Sequence, residues 1–238
     1  MKGGLGRLWS YLNEIYERVP AVYDKGSDAI SLLQDRKWRM EVFRLPLRPG
    51  DAVLDAGSGK GAISDLLRRF GLQPVMMDAS YNMLSFGKGD RVQAVFEYLP
   101  FKEGVFDYVL MSFSLHASID YERALKNLQS AMKDGARIFV VSLGKPSSRV
   151  KYAICLAYFK FIIPALALLS TGRYYSLFYG LKTIYENNPR NDVVKCQLEK
   201  LFRTIEFKEK ALGAVFIYFG LLKRRVLSYT WLTLYQVP

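Results

Sequence analysis

A glycine-rich turn that begins with an acid is the first feature of this sequence that could support chemistry. The apolar run Ala52–Leu54 leads into the turn Asp55-Ala-Gly-Ser-Gly-Lys-Gly61, and a second apolar run, Pro74–Met77, ends at Asp78. If both runs are parallel strands, their carboxyl ends lie at the edge where open α/β sheets bind ligands. Glycines let a ligand approach the backbone closely, and carboxylates suit a ligand with cationic groups and hydroxyls.

Two cofactors fit this pattern. S-adenosylmethionine (SAM) carries a sulfonium and an ammonium group, which Asp55 would attract, and Asp78 could accept hydrogen bonds from both ribose hydroxyls. The spacing Gly57-x-Gly59-x-x-Ala62 also fits the dinucleotide fingerprint, with Asp78 near its acidic position. However, a carboxylate at Asp55 would repel a pyrophosphate. The glycines also occupy the alternate positions 57, 59 and 61, which is a tighter spacing than that of the dinucleotide fingerprint. We therefore predict SAM rather than a dinucleotide, and a purely structural glycine turn fits least well because both acids are in place.

His116 is the only histidine in the chain, and it follows the apolar run Phe106–Met111 in a Ser-Phe-Ser-Leu-His segment. A lone histidine is commonly a structural residue. Here it falls in a loop that would overlie the cofactor, and the ordinary pKa range of histidine suits a general base near neutral pH. Both interpretations of His116 stay open at this stage.

Short apolar strands alternate with helical patterns between residues 47 and 144, which predicts a parallel sheet covered on both faces. Helices are predicted before it, over residues 5 to 19 and from about Ser27 to Phe43. Beyond residue 144 the chain becomes aromatic, apolar and basic. Residues 153–170 are apolar but hold Lys160 and Pro164, which favours a buried or interfacial helix pair over a membrane span. Residues 215–219 predict a late strand that joins the sheet.

Size and charge set limits on the function. A chain of 238 residues, half of them hydrophobic, can bury the core of one large domain. The two cysteines, Cys155 and Cys196, lie far apart, which favours a reducing, cytoplasmic compartment. Residues 145–238 contain 15 Lys and Arg against 5 Asp and Glu, whereas residues 1–144 contain 19 against 17. This C-terminal excess would suit an anionic membrane surface or a nucleic acid, or it simply keeps the surface solvated.

Several motifs resemble those of the quinone-ring C-methyltransferases of ubiquinone and menaquinone biosynthesis, from about Val19 to Lys223. The matching segments are Val19-Pro-Ala-Val-Tyr23-Asp24 (A-P-x-Y-D in the family), Trp38-Arg39 (W-R), Val53 to Gly61 (V-L-D-x-x-x-G-T-G), Asp78-Ala-Ser80-x-x-Met83-Leu84 (D-x-S-x-x-M-L), Glu97-Tyr-Leu-Pro-Phe101 with Phe106-Asp107 (E-x-L-P-F and F-D), and Ser112-Phe113. Most of these motifs occur in many class I methyltransferases. The narrower similarity is C-terminal, in the order of Leu143-Gly-Lys-Pro146, Tyr158-Phe159, Pro164, Tyr174-Tyr175, Ile184 and Pro189.

The resemblance implies a Rossmann-like class I methyltransferase with a mostly parallel seven-stranded sheet, helices on both faces and an N-terminal helical region. It implies one domain: N-terminal helices to residue 46, a SAM-binding core over 47–144, a helical substrate cap over 145–212, and a C-terminal strand and tail over 213–238. Together with the turn itself, it predicts these cofactor-binding residues: Tyr23, Asp55, Gly57, Gly59, Lys60, Asp78, Ala79, Val95, Phe96 and Ser112.

Three positions depart from the family pattern. Val95 stands where the family usually has Asp or Asn, Lys60 replaces Thr, and His116-Ala117 replaces an Arg-Asn pair. We therefore expect adenine recognition to rely on backbone groups near Val95.

The acceptor that the resemblance implies is a prenylated quinol or naphthoquinol, methylated on a ring carbon. His116 is the candidate base, and the predicted substrate-binding residues are Tyr158, Tyr174, Tyr175 and Tyr179. Another small or lipophilic acceptor, an RNA methyltransferase and a non-catalytic SAM-binding protein are the alternatives. The apolar stretch 153–170 favours a lipid over nucleic acid as partner, and it predicts peripheral contact with a membrane through about residues 145–182.

Overall fold

The computed structural model describes residues 20–223, and the strands of this range form one sheet. They are β1 (Val53–Ala56), β2 (Val75–Asp78), β3 (Arg91–Gln93), β4 (Phe106–Ser112), β5 (Met132–Leu143), β6 (Phe202–Lys210) and β7 (Val215–Leu222). Their order across the sheet is β3-β2-β1-β4-β5-β7-β6. Strands β1 to β5 pair in parallel, while β7 is antiparallel to both of its neighbours. This confirms the predicted Rossmann-like, mostly parallel seven-stranded sheet.

Strand order reverses at β1, which pairs with β2 on one side and with β4 on the other. Leu54 lies opposite Val75 in one pair and opposite Val109 in the other. All four residues of β1 are buried, as expected for a central strand covered on both faces. The reversal opens a crevice beyond the carboxyl ends of β1 and β4, which is where such sheets bind ligands.

Helices cover both faces of the sheet. The described α-helices are α1 (Pro20–Ile30), α2 (Gln34–Met40), α3 (Ala62–Arg68), α4 (Tyr81–Ser85), α5 (Tyr121–Ala131), α6 (Arg149–Ala157), α7 (Ile163–Thr171), α8 (Gly180–Asn187) and α9 (Asn191–Leu201). Helices α5 and α9 pack on the face that carries Leu54 and Val109, and α3 packs on the opposite face with Leu110 and Phe139. Each such buried apolar side chain contributes roughly 1.5–3 kcal/mol, so these two layers stabilise the sheet that borders the crevice.

Helices α6 to α8 form a cap with a core of its own. Cys155, Phe159 and Ile163 are buried there against Phe178 and Tyr185. The Tyr185 ring stacks on Phe159, with ring centroids 4.3 Å apart. Because α1 also packs on this cluster, the cap is joined to the N-terminal side of the crevice.

The structure divides the helix predicted over Ser27 to Phe43 into α1, α2 and a 3₁₀ turn at Glu41–Arg44. The break lies at Leu32 and Leu33, whose φ angles are 53° and 61°. Leucine seldom adopts this left-handed conformation, so the local sequence gave no signal of a turn. The helix predicted over residues 5–19 lies outside the described residues.

The structure adds detail to the predicted C-terminal region. Helices α6 and α7, joined by a π-helical turn, follow each other within one helical segment, Arg149–Ser176. Pro164 does not break it because this proline lies in the first turn of α7, after a π-helical turn at Tyr158–Ile162. The helical cap ends before residue 212, since β6 adds an edge strand to the sheet. β6 is rich in charged residues, which is typical of edge strands but conceals the apolar alternation of a strand.

Candidate active site

The glycine turn after β1 is fixed to the end of β2. Gly57 and Ser58 donate their amide hydrogens to the Met77 carbonyl, at N···O distances of 2.7 and 2.9 Å. Gly57 has a φ of +72°, and a Cβ atom there would lie 2.3 Å from the Cβ of Ser114. Glycine is therefore required at this position by both conformation and space.

Asp78 is oriented by the same turn. Its two carboxylate oxygens accept hydrogen bonds from the amides of Gly59 and Ser80, at 2.8 and 2.9 Å. Each oxygen can accept more than one hydrogen bond, so these contacts orient the carboxylate without excluding ligand hydroxyls. This geometry suits the predicted contact with ribose hydroxyls.

Asp55 is a buried carboxylate with one oxygen satisfied. Its Oδ2 accepts a hydrogen bond from the Ser64 hydroxyl at 2.7 Å, whereas Oδ1 has no hydrogen-bond partner among residues 20–223. Burial raises the pKa of Asp55 to about 6. A buried acceptor without a partner costs stability, and a cationic N–H donor in the crevice would relieve that cost. This site therefore fits a cofactor with an ammonium group.

Lys60 ties the turn to α1. Its ammonium donates hydrogen bonds to the Pro20 carbonyl at 3.1 Å and to the Asp24 carboxylate at 2.6 Å. It also lies 4.9 Å from the centre of the Phe86 ring. The lysine at this position thus holds α1, with Tyr23, over the crevice.

These elements enclose a cavity of about 760 Å³, which we call the cofactor cavity. All ten residues predicted to bind the cofactor line it: Tyr23, Asp55, Gly57, Gly59, Lys60, Asp78, Ala79, Val95, Phe96 and Ser112. Its volume is within the usual range for small-molecule sites. The individual contacts to the cofactor stay predictions.

A second cavity of about 660 Å³, here the acceptor cavity, lies between the cap, α1 and α2. Its lining is largely apolar and includes Ile30, Phe159 and Ile184. Of the four tyrosines predicted to bind substrate, Tyr158 lines this cavity, with its hydroxyl donating to the Ile30 carbonyl at 2.8 Å.

The other three predicted tyrosines line neither cavity. Tyr174 and Tyr179 are exposed, and the Tyr175 and Tyr179 rings meet edge to face at 5.6 Å. They lie in a 3₁₀ segment, Gly172–Tyr179, which has three residues per turn rather than the roughly 3.6 of an α-helix.

His116 lines the acceptor cavity, and it is not among the residues that line the cofactor cavity, over which we expected its loop to lie. Its role as a base stays a prediction. Its Nδ1 lies 3.2 Å from the Ser142 hydroxyl. Burial lowers the pKa of His116 to about 4, below the near-neutral value that the sequence suggested. The imidazole is therefore neutral at pH 7 and is a weaker base than expected.

The two cavities meet at a junction lined by Tyr23, Ser27, Asp35 and Phe113, which contribute to both. Asp35 and Ser27 are not among the site residues predicted from the sequence. The available signal was the spacing of Asp35 and Arg39, four residues apart on a helix, which predicts an ion pair.

Comparisons with known proteins identify this architecture. Residues 9–222 match the family model described as the ubiE/COQ5 methyltransferase family. The chain belongs to this family. It is 32% identical to the demethylmenaquinone methyltransferase of Mycolicibacterium gilvum, over 64% of the chain and 69% of the relative. It is 28% identical to the ubiquinone/menaquinone biosynthesis C-methyltransferase of Pseudomonas savastanoi, over 87% of each chain.

A solved SAM-dependent methyltransferase from Thermotoga maritima shares the fold. It superposes with a TM-score of 0.63 at 19% identity, covering 89% of this chain and all of that structure. Because the chain belongs to the ubiE/COQ5 methyltransferase family, it is a SAM-dependent methyltransferase, and its cofactor is SAM rather than a dinucleotide. Among residues 20–223, no group of three or more His, Cys, Asp and Glu side chains is placed to hold a metal ion.

Proposed function

We propose that this methyltransferase methylates a ring carbon of a prenylated quinol or naphthoquinol. The observation that carries the proposal is the apolar acceptor cavity, which meets the cofactor cavity at a shared junction. A flat ring at that junction would face the cofactor, and an isoprenoid tail would lie against the apolar residues of the cap. The quinone-pathway names of the two relatives support the same acceptor class.

Bound SAM supplies an electrophilic methyl group. Transfer would join this methyl group to a ring carbon and release it from the sulfonium, and the ring system would lose one proton. The protein has to align the ring carbon behind the methyl group and exclude water from both. The acceptor cavity supports both requirements, because its lining is largely apolar and joins the cofactor cavity at the junction.

Proton removal is the proposed role of His116. Its neutral imidazole can accept a proton, but its pKa of about 4 is well below that of a phenol, about 10. Complete deprotonation before methyl transfer is therefore unfavourable. We expect His116 to take up the proton as the new carbon–carbon bond forms and the acidity of the ring system increases.

The proposed acceptor also requires access to a membrane. The segment Arg149–Ser176 has a mean hydropathy of 2.0 in its most apolar window, of which only 22% is buried, so by length and composition it could cross a membrane. However, Cys155, Phe159 and Ile163 on one side of it form the cap core. We therefore propose that it lies in the membrane surface, with Phe161 and Leu169 exposed toward lipid and Lys160 toward head groups.

Transfer of labelled methyl groups from SAM tests the acceptor class. We expect incorporation into demethylated quinols that carry an isoprenoid tail, and slower incorporation into the same ring without the tail. Labelling of RNA or of a soluble acceptor, with none in any quinol, would overturn the proposal.

Co-sedimentation with vesicles tests the membrane contact separately. We expect binding to vesicles that contain anionic lipid at low salt and release at high salt, because each basic residue near the surface contributes about 1 kcal/mol that salt screens. Leu169→Asp should weaken binding. A protein that stays in the supernatant with anionic vesicles at low salt would refute the membrane contact and leave the acceptor class standing.

A further inference from the structure

A buried ion pair lies at the junction of the two cavities. Asp35 is only 2% exposed, and its Oδ2 forms a short ion pair with the guanidinium of Arg39. Arg39 is fixed in turn, because its Nε donates to the Ser112 hydroxyl at 3.0 Å and its guanidinium lies 5.2 Å from the centre of the Phe113 ring. The position of the Asp35 carboxylate is therefore coupled to the carboxyl end of β4.

Two serine hydroxyls also donate to this carboxylate. Ser31 donates to Oδ1 at 2.8 Å, and Ser27 donates to Oδ2 at 3.3 Å. The Ser27 contact is near the upper limit of a hydrogen bond, so a ligand hydroxyl could replace it at little cost. Ser27 and Asp35 both line the two cavities, so a ligand that displaced the Ser27 hydroxyl would meet the carboxylate where the acceptor ring must face the cofactor.

The acceptor cavity is otherwise poor in charge, which gives the carboxylate a selective role. A buried ion pair is costly relative to an apolar pair of similar volume, so packing alone does not account for it. A carboxylate is an acceptor only, and a phenolic hydroxyl is the donor that a quinol presents and an oxidised quinone lacks. Charge-assisted hydrogen bonds are also stronger than neutral ones.

From this placement we infer that Asp35 binds a phenolic hydroxyl of the acceptor ring and fixes which ring carbon faces the methyl group. The inference rests on the proposed function, since it assumes a ring acceptor in the acceptor cavity. It assigns the protein a preference for the reduced, hydroxylated ring. Ser27 yields its place to the ligand, and Arg39 and Ser31 hold the carboxylate in position.

Calorimetric titration with two probes tests the inference without requiring turnover. The probes are a hydroquinone carrying one isoprenoid unit and its dimethyl ether, each added to protein saturated with S-adenosylhomocysteine. We expect the wild-type chain to bind the hydroquinone about tenfold to a hundredfold more tightly, as for a hydrogen bond to a charged group. Asp35→Asn should lose most of this preference. Glu122→Gln, which breaks an exposed ion pair between residues four apart on α5, should retain it.

Two further variants guard against misfolding and misassignment. The double variant Asp35→Asn, Arg39→Gln removes both charges, so that no unpaired guanidinium is left buried, and it should also lose the preference. Ser31→Ala removes one hydrogen bond that holds the carboxylate but leaves the ion pair intact, so it should reduce the preference less than Asp35→Asn does. A preference that survives both Asp35 variants, or that falls as far in Ser31→Ala as in Asp35→Asn, would overturn the role of Asp35. If neither probe binds the wild-type chain, the acceptor class itself fails.

Discussion

The cofactor cavity and the acceptor cavity share a wall, yet they are built in different ways. Backbone groups at the ends of β1 and β2 shape the first, where the amides of Gly57 and Gly59 are fixed against Met77 and Asp78. Side chains from α1, α2, the cap and the start of β7 shape the second, and its lining residues are up to 192 positions apart, from Tyr23 to Val215. A backbone-built site tolerates few substitutions, whereas a side-chain-built site can change its volume and its ligand.

The two cavities also differ in charge. The cofactor cavity contains Asp55 and Asp78 and suits a cation. The acceptor cavity is largely apolar, with Lys210 and the neutral His116 in its lining, and its one carboxylate is Asp35 at the junction, which is paired with Arg39. Under the proposed function, chemistry common to the fold resides in the first cavity, and discrimination between acceptors resides in the second.

Substitution of Gly57 in the glycine turn should cause the largest loss of SAM affinity. Gly57→Ala would place a Cβ atom 2.3 Å from that of Ser114, in a backbone conformation that L-residues avoid. We expect SAM affinity to fall more than about a hundredfold, since the clash and the strained φ together exceed roughly 3 kcal/mol. Titration calorimetry measures the loss of SAM affinity, and thermal unfolding measures the loss of stability.

Gly104→Ala is the matched control for this turn. Gly104 also has a positive φ, +65°, but nothing lies within 4 Å of the added atom. It should cost only about 1 kcal/mol of strain and leave SAM binding unchanged. Equal SAM affinity in Gly57→Ala and wild type would mean that the backbone at this turn does not shape the site.

Asp78→Ala tests the polar part of the same cavity. The loss of hydrogen bonds from a charged acceptor to the ribose hydroxyls should weaken SAM binding about tenfold to a hundredfold. The exposed Asp134, which lines neither cavity, provides the control variant Asp134→Ala. Unchanged SAM affinity in Asp78→Ala, measured by titration calorimetry, would remove Asp78 from the cofactor site.

The sequence predicted the cofactor cavity well because its determinants are local. Asp55 and the three glycines of its turn lie within seven residues, and Asp78 follows the next buried strand. Parallel pairing of β1 and β2 is then enough to bring the two acids together. Each residue type has a conformational or electrostatic reason that can be recognised without the fold.

The acceptor cavity could not be predicted in the same way. Whether Tyr158 or Tyr174 points inward depends on the π turn at Tyr158–Ile162 and the 3₁₀ segment Gly172–Tyr179, and neither has a clear periodic pattern. The turn at Leu32 and Leu33, on which the placement of Asp35 depends, uses a conformation that tertiary packing imposes. Long-range contacts decide these features.

A substitution that fills the acceptor cavity should weaken acceptor binding and leave SAM binding unchanged. Leu181 lines only the acceptor cavity, and Leu181→Trp would occupy space for about three methylene-sized groups of a tail. The lost burial of roughly 2 kcal/mol should weaken binding of a prenylated quinol about thirtyfold, with SAM affinity unchanged. Val193→Trp, at an exposed position on α9, is the control. If Leu181→Trp binds the prenylated quinol as tightly as the wild type does, the tail lies elsewhere.

The smallest expected effect is a dependence of SAM affinity on pH, which compares the buried titratable groups of the two cavities. Burial raises the pKa of Asp55 to about 6 and lowers that of His116 to about 4. A cationic cofactor requires ionised Asp55, so SAM affinity should be nearly constant above pH 7 and fall about tenfold between pH 7 and pH 5 as the carboxyl group takes up a proton. His116 remains neutral over this whole range and should contribute nothing to the change. Titration calorimetry at pH 5, 6 and 7 measures this change in SAM affinity.

Two variants show which group is responsible. Asp55→Asn should bind SAM more weakly, with an affinity that does not depend on pH, and His116→Asn should keep the pH dependence of the wild type. A slope that persists in Asp55→Asn would assign the titration to another group, and one that disappears in His116→Asn would show that the two cavities are electrostatically coupled rather than separate.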